Sequence, residues 1–214
     1  VSLWVPSPNF NAGRPAGGIR WVVWHSTESP QVPGAAYHVA RNWFGVSSSQ
    51  VSSHVVVDDG SDPRYADGAC ECVKPGDRAW HCGPGGNPAG YGVEIVGFAA
   101  QSLTDWLAPY SAAALHNACR WVLSVPVLAA LPRRFLTDTE VRSGASGHIT
   151  HAQVSRVLGG TTHTDPGAGF PYSTVEHFLT AGAGDVVSAK IRQLTANLDD
   201  AKTLAAEIAR DVAP

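Results

Sequence analysis

Methionine is absent from the 214 residues, and only three of the fifteen basic side chains are lysines. Charge is sparse, at 15% of the chain with a formal net of −3, and no basic stripe with interleaved aromatics occurs. That composition excludes a nucleic-acid binder. No apolar stretch approaches the ~20 residues that span a bilayer, so membrane insertion is not expected. The four cysteines, Cys70, Cys72, Cys82 and Cys119, have neither the paired Cys-x-x-Cys spacing of a zinc knuckle nor the density of a disulfide scaffold. Buried free thiols are the expected state, with one bridge among Cys70, Cys72 and Cys82 left open. The glycine-rich run Gly83-Pro84-Gly85-Gly86-Asn87-Pro88 has no Gly-Lys-Ser/Thr after it, so it reads as a mobile loop and not as a phosphate cradle.

Histidine is plentiful, at nine residues. Any one of them is by default a surface or satisfied core residue, and His38, His116 and His177, in helical-looking stretches, keep that reading. Three positions stand apart by context. The strand-like run Ile19-Arg20-Trp21-Val22-Val23-Trp24 delivers His25 at its end, where a sheet can hold it rigidly. Downstream, His151 is followed by His163-Thr164-Asp165-Pro166-Gly167. Two histidines and one carboxylate make a three-ligand zinc site whose fourth position stays open for water. Such a water can ionise near neutral pH and act as a nucleophile. Asp165-Pro166-Gly167 is by itself only a turn sequence, and His148 is a rival ligand to His151.

Four ordered segments carry a more specific signal. They are Val22-Val23-Trp24-His25-Ser26-Thr27, Val51-Ser52-Ser53-His54-Val55-Val56-Val57-Asp58, Gly90-Tyr91-Gly92-Val93-Glu94-Ile95-Val96-Gly97, and His151-Ala152-Gln153-Val154 through His163-Thr164-Asp165-Pro166-Gly167. With Ala79-Trp80-His81-Cys82-Gly83 they span roughly residues 19 to 180. The set resembles the zinc-dependent N-acetylmuramoyl-L-alanine amidases of phage endolysins and cell-wall recycling, relatives of the peptidoglycan recognition proteins. The resemblance implies zinc held by His25, His151 and Asp165, and Glu94 as the general base acting on water. It gives His163 the place where many relatives carry lysine, as support for the oxyanion. It places His54 and His81 near the cleft, as substrate contacts or as support for the ligands. It favours His151 over His148, because His-Ala-Gln-Val matches the ligand segment. The implied substrate is peptidoglycan, cleaved between N-acetylmuramic acid and L-alanine.

Two readings from other classes compete with this one. A catalytically silent peptidoglycan-binding module would have no need to keep a complete metal triad with Glu94. A zinc-stabilised structural domain would close all four positions with protein ligands, and no fourth is evident. The N-terminus shows no basic-then-apolar signal pattern, so the endolysin reading implies accumulation in the host cytoplasm until release, with action at the cell wall.

The expected architecture is mixed α/β, a central mixed sheet flanked by helices. Strands are expected at Ile19–Trp24, Ser53–Val57, Glu71–Val73 and Gly92–Val96, from their β-branched and aromatic content. Helices are expected at Ala35–Trp43 and at Ser111–Val125 with Ser111 as N-cap. A further helix should start at Ser173, which has the capping-box spacing to Glu176. Residues 1–182 are read as the catalytic domain and 183–214 as a C-terminal helix or interdomain linker. In that tail Val187, Ile191, Leu194, Leu198, Ala201, Ala205, Ile208 and Val212 recur in heptad-like steps. A wall-binding module would have to lie elsewhere in a longer chain.

Overall fold

The computed structural model describes residues 2–181. Its strands are β1 (Leu3–Trp4), β2 (Phe10–Asn11), β3 (Trp21–Ser26), β4 (Val55–Val57), β5 (Ala69–Glu71), β6 (Arg78–Ala79), β7 (Gly90–Ile95) and β8 (Gly147–Thr150). Its α-helices are α1 (Ala35–Val39), α2 (Gly83–Gly86), α3 (Leu103–Leu107), α4 (Pro109–Ser124), α5 (Pro126–Ala129), α6 (Asp138–Arg142) and α7 (His151–Val157), followed by a helix over 172–181. No helix among the described residues is long and apolar enough to cross a membrane. The heptad pattern and the expected boundary at residue 182 lie outside the described residues.

Six strands form one sheet in the order β1-β5-β4-β7-β3-β8, and β2 pairs with β6 separately. Within the six, only β4 and β5 run antiparallel. The expected mixed sheet is therefore mostly parallel. β3 and β7 are buried along their whole length, as strands covered on both faces must be.

Period-two alternation assigns the faces. Val22 and Trp24 of β3, with Tyr91, Val93 and Ile95 of β7, join the core under α4, which contributes Leu115, Ala118 and Val122. Val175 and Leu179, from the last helix, pack in the same cluster. The opposite face carries Trp21 and Val23, packed with Ile149 and with Val154 of α7. His25 and Glu94 fall on that second face by the same alternation.

Several expected boundaries move, each for a local reason. The β5 ladder ends at Glu71 because the amides of both Cys72 and Val73 turn to one acceptor, His54 O, at 2.8 and 3.3 Å. α4 starts at Pro109, whose missing N–H suits the first turn. Ser111 is instead inside the helix, and its Oγ accepts from Gln31 Nε2 at 2.6 Å and Gln101 Nε2 at 3.1 Å. The last helix begins at residue 172, before Ser173, and Glu176 accepts the amide of Phe135 at 2.7 Å. α1 stops at Val39 and continues as a π-turn, Ala40–Phe44. Residues 83–86 form a helical turn where a loop was expected, with Asn87 Oδ1 accepting the amides of His81 and Cys82. The four cysteines are free and buried.

α6 is held to α7 by Asp138, which accepts from Arg156 Nε at 2.8 Å and from Gln153 Nε2 at 3.0 Å. The hydrogen bond from Arg156 leads the causes that lower the Asp138 carboxyl to about 2. A carboxyl lowered in the folded state contributes stability above its unfolded pKa of about 4, and that contribution disappears as pH falls through the folded value. Arg156→Ala should therefore cost about 0.5 kcal/mol at pH 7, the scale of an exposed pair. Its deficit against the parent should shrink between about pH 4 and about pH 2. Urea unfolding across that range checks this, and a deficit constant with pH would rule the pair out as its cause.

Candidate metal centre

The parallel strands β7, β3 and β8 end at one edge of the sheet, the place where open α/β sheets bind ligands. The register sets His25 directly beside Glu94. It also pairs Trp24 with Thr150, so the next residue, His151, starts α7 alongside His25. Thr150 caps that helix, its side chain accepting the amide of Gln153. Asp165 is brought in by the return of the chain, and its carbonyl accepts the amide of Ala152 at 2.9 Å. Gly167 closes this turn at φ +91°, where any Cβ would run into the carbonyl of Ala99.

His25, His151 and Asp165 are all buried, and their donor atoms lie within 4.8 Å of one another. Nδ1 of His25 is 3.0 Å from Asp165 Oδ2, and Nδ1 of His151 is 3.1 Å from Asp165 Oδ1. Glu94 Oε1 is 3.9 Å from the same Nδ1 of His25. The donor set fits zinc, which takes imidazole nitrogen and carboxylate oxygen together, whereas calcium and magnesium favour oxygen alone. The charge balance fits as well: Asp165, Glu94 and Glu28 line the cleft, and no lysine or arginine does among the described residues.

Protonation states agree with that use. Burial lowers the His25 pKa and so favours neutral imidazole, with Asp165 opposing the shift. Burial would raise the Asp165 carboxyl, but hydrogen bonds from His151 and His25 outweigh it and hold the group well below the usual carboxylate range. Neutral imidazole and ionised carboxylate are the forms a cation binds. Glu94 is pushed well above its ordinary value, first by burial and then by the charges of Asp165 and Glu28.

Each candidate histidine ligand is braced through its other nitrogen. His25 Nε2 lies 3.0 Å from His81 Nδ1, and His151 Nε2 lies 3.0 Å from Thr161 Oγ1. With Nδ1 turned to a metal, Nε2–H is the donor in both, an arrangement that fixes ring orientation and tautomer. Gly92 makes this possible for His81, since a Cβ there would sit 2.7 Å from His81 Cγ. Thr161 went unnoticed in the sequence. Only its place, ten residues after His151 in an irregular run, could have pointed to it.

The remaining expected site residues divide. His163 stacks on His151 with ring centroids 4.5 Å apart and stays 68% exposed at the cleft wall. His81 lines the cleft. His54 does not: it is fully buried, a position that suits the supporting role expected of it and not direct contact with substrate. Its Nδ1 accepts the Gly92 amide at 2.9 Å, its Nε2 meets Arg14 at 2.7 Å, and its ring stacks on Tyr91. Burial, then the Arg14 charge, lower its pKa to about 3. His54 thus supports β7 from below. The rival His148 sits on the other face of the sheet, its Nδ1 accepting Trp24 Nε1–H at 2.9 Å.

A sequence model of the N-acetylmuramoyl-L-alanine amidase family matches residues 13–168. The chain belongs to that family. Its activity is that of a peptidoglycan amidase. No curated protein matches the sequence. Among solved structures, Staphylococcus aureus hydrolase AmiA in complex with its ligand has a TM-score of 0.58 at 19% identity, over 84% of this chain and 81% of that one. A selenomethionine derivative of AmpD has a TM-score of 0.56 at 15% identity, over 84% of this chain and 94% of its own. A mutant of PlyL has a TM-score of 0.52 at 15% identity, covering 85% and 99%. At such identities the likeness establishes the fold.

The brace on His25 has a measurable consequence. His81→Ala should weaken zinc binding by roughly 10- to 100-fold, while His148→Ala leaves it unchanged and lowers only stability. Competition with a chromogenic chelator separates the two. Equal zinc affinity in His81→Ala and the parent would remove His81 from the support of the centre.

Proposed function

We propose that this amidase holds zinc through His25, His151 and Asp165 and cleaves the bond between the lactyl group of N-acetylmuramic acid and L-alanine, with Glu94 as general base. The convergence of three buried donors beside Glu94, through the β3/β7 register, is the observation that carries this reading. Zinc, when bound, supplies a Lewis acid that polarises oxygen and lowers the pKa of water.

The side chains divide the remaining work. Glu94 holds protons more tightly than a solvated carboxylate, which suits a base that must take a proton from water and pass it to the leaving amine. His163, exposed at the wall and stacked on His151, presents a ring N–H toward the space where the oxyanion develops. Asp165 stays anionic and would hold the ion beside both histidines, while His81 and Thr161 keep their rings from turning. His54 acts through the backbone of β7 and through its edge-on contact with the His81 ring.

An endolysin role goes with this reading: a phage lysin that gathers in the host cytoplasm, is released, and acts at the wall, with any wall-binding module elsewhere in a longer chain. Digestion of purified peptidoglycan with mass-spectrometric reading of products tests the chemistry. Peptides beginning in L-alanine beside intact glycan, abolished by chelator and restored by zinc, are expected. Wall binding without release under either condition would favour a silent recognition module instead.

Variants separate the roles. Glu94→Ala should keep its zinc and lose at least ~10²-fold in turnover. His151→Ala and Asp165→Ala should lose both metal and turnover. Metal analysis beside the digestion assay reads each, and near-normal turnover in Glu94→Ala would sink the general-base assignment.

A further inference from the structure

The metal-holding residues make up only part of the cleft, which measures ≈ 810 Å³. A stretch of its wall is aromatic and apolar, formed by Val39, Trp43, Phe44, Val51 and Trp80, with Asn42 and Gln50 in the same lining. Trp43 is the anomaly there. It is 60% exposed, and no described ring stacks on its indole. Apolar area of that size left in water is not favoured by folding, and exposed patches of this kind mark binding surfaces.

The indole is exposed but its backbone is not loose. The π-turn Ala40–Phe44 is closed by Gly45 N–H to Ala40 O at 2.8 Å. The wider turn sends Phe44 into the core, at 6% exposure, and leaves Trp43 facing the cleft. Such π-turns inside helices recur at functional sites. The N-terminal segment braces the turn: Ser7 Oγ donates to Phe44 O at 2.5 Å, and Asn9 Nδ2 donates to Val46 O at 2.9 Å and Val51 O at 3.0 Å. Trp80 is fixed as well, its amide donating to Ser52 Oγ at 2.9 Å and its indole N–H to Asn11 Oδ1 at 2.8 Å.

The scissile amide, in the reading above, joins a sugar-borne lactyl group to a peptide, so a sugar lies on one side of it and charged peptide on the other. A pyranose ring has a flat C–H face and a rim of hydroxyl and acetamido groups. A rigid indole face with amide side chains nearby matches that pattern. A stem peptide bearing carboxylates finds no lysine or arginine in this wall among the described residues. We propose that Trp43, together with Trp80, forms the glycan subsite of the cleft and stacks against a sugar ring of the peptidoglycan strand. The assignment rests on the amidase reading, and it orients the substrate with its sugar toward the π-turn.

The test uses the full zinc-loaded chain and its Trp43→Ala and Trp43→Phe variants. Calorimetric titration uses two probes, peptide-free oligomers of N-acetylglucosamine and N-acetylmuramic acid, and the free stem peptide. Trp43→Ala should weaken oligomer binding about tenfold, the scale of one aromatic stacking contact, and leave stem-peptide binding unchanged. Trp43→Phe should retain most of the affinity. On polymeric peptidoglycan, KM should rise in Trp43→Ala with kcat held. Unchanged oligomer affinity in Trp43→Ala, an equal loss for the stem peptide, or no oligomer binding by the parent would each overturn the subsite. Thermal melts that match the parent show that the fold is intact, and a melt lowered in Trp43→Ala moves the decision to Trp43→Phe. A parent that releases no L-alanine-terminated peptide refutes the amidase reading, whereas a parent that cleaves while Trp43→Ala matches it in KM refutes the subsite alone.

Discussion

The parallel pairing of β3 with β7 sets His25 level with Glu94, and every other part of the centre is arranged around that pair. Strand alternation makes the constraint strict, because a slip of one residue would turn Glu94 into the core under α4 and bring Val93 to the cleft. The core on that side prevents the slip. Tyr91, Val93 and Ile95 already fill it against Trp106, Leu115 and Leu179. Burial on one face of the sheet thus fixes the geometry of polar groups on the other. The same pairing explains the glycines of β7. Gly90 and Gly92 fall on the face of Glu94, and their missing side chains leave the room that His81 takes beneath His25.

Charge is the second constraint. Glu94 and Asp165 are both removed from water, and their mutual repulsion adds to the cost of burial. Hydrogen bonds from two imidazoles keep Asp165 ionised. A divalent cation at the three donors would offset the rest, and metal binding would then be linked to folding stability. The braces at His81 and Thr161 cost little by comparison, since each places one polar group against another that burial would otherwise leave unpaired.

Much of this was legible in the sequence, and the exceptions share a cause. His25, His151 and Asp165 were readable because each sits at an element end or in a turn that the local pattern announces. Glu94 was readable only through the family resemblance, because an acid in a strand otherwise reads as a solvent-facing polar residue. The choice of His151 over His148 is decided by alternation: Trp24 and His148 share one face of the sheet, where the indole N–H satisfies the histidine. His54 was left open between substrate contact and support because a histidine at the head of a strand looks the same from sequence whether it faces the cleft or lies under a neighbouring strand. Its burial depends on Tyr91 and Arg14, both distant in the chain. Helix starts failed for a similar reason. Ser173-x-x-Glu176 has the capping-box spacing, but Glu176 accepts the amide of Phe135 instead. True capping boxes occur at Ser102–Asp105 and Thr137–Glu140, where the acid still reaches its own N-cap, at Glu140 even with Arg134 bound to the same carboxylate.

The family match begins at residue 13, yet the segment that braces the π-turn lies before it, at Ser7 and Asn9. The last helix, with Val175 and Leu179 in the main core, lies beyond the match at its other end. A catalytic unit trimmed to the matched span for transplantation between amidases would carry every residue of the candidate metal centre. It would leave behind the hydrogen bonds that keep one wall of the cleft upright and part of the apolar layer behind the sheet. In this protein the portable module is therefore larger than the matched span, because its edges are set by what holds the cleft open.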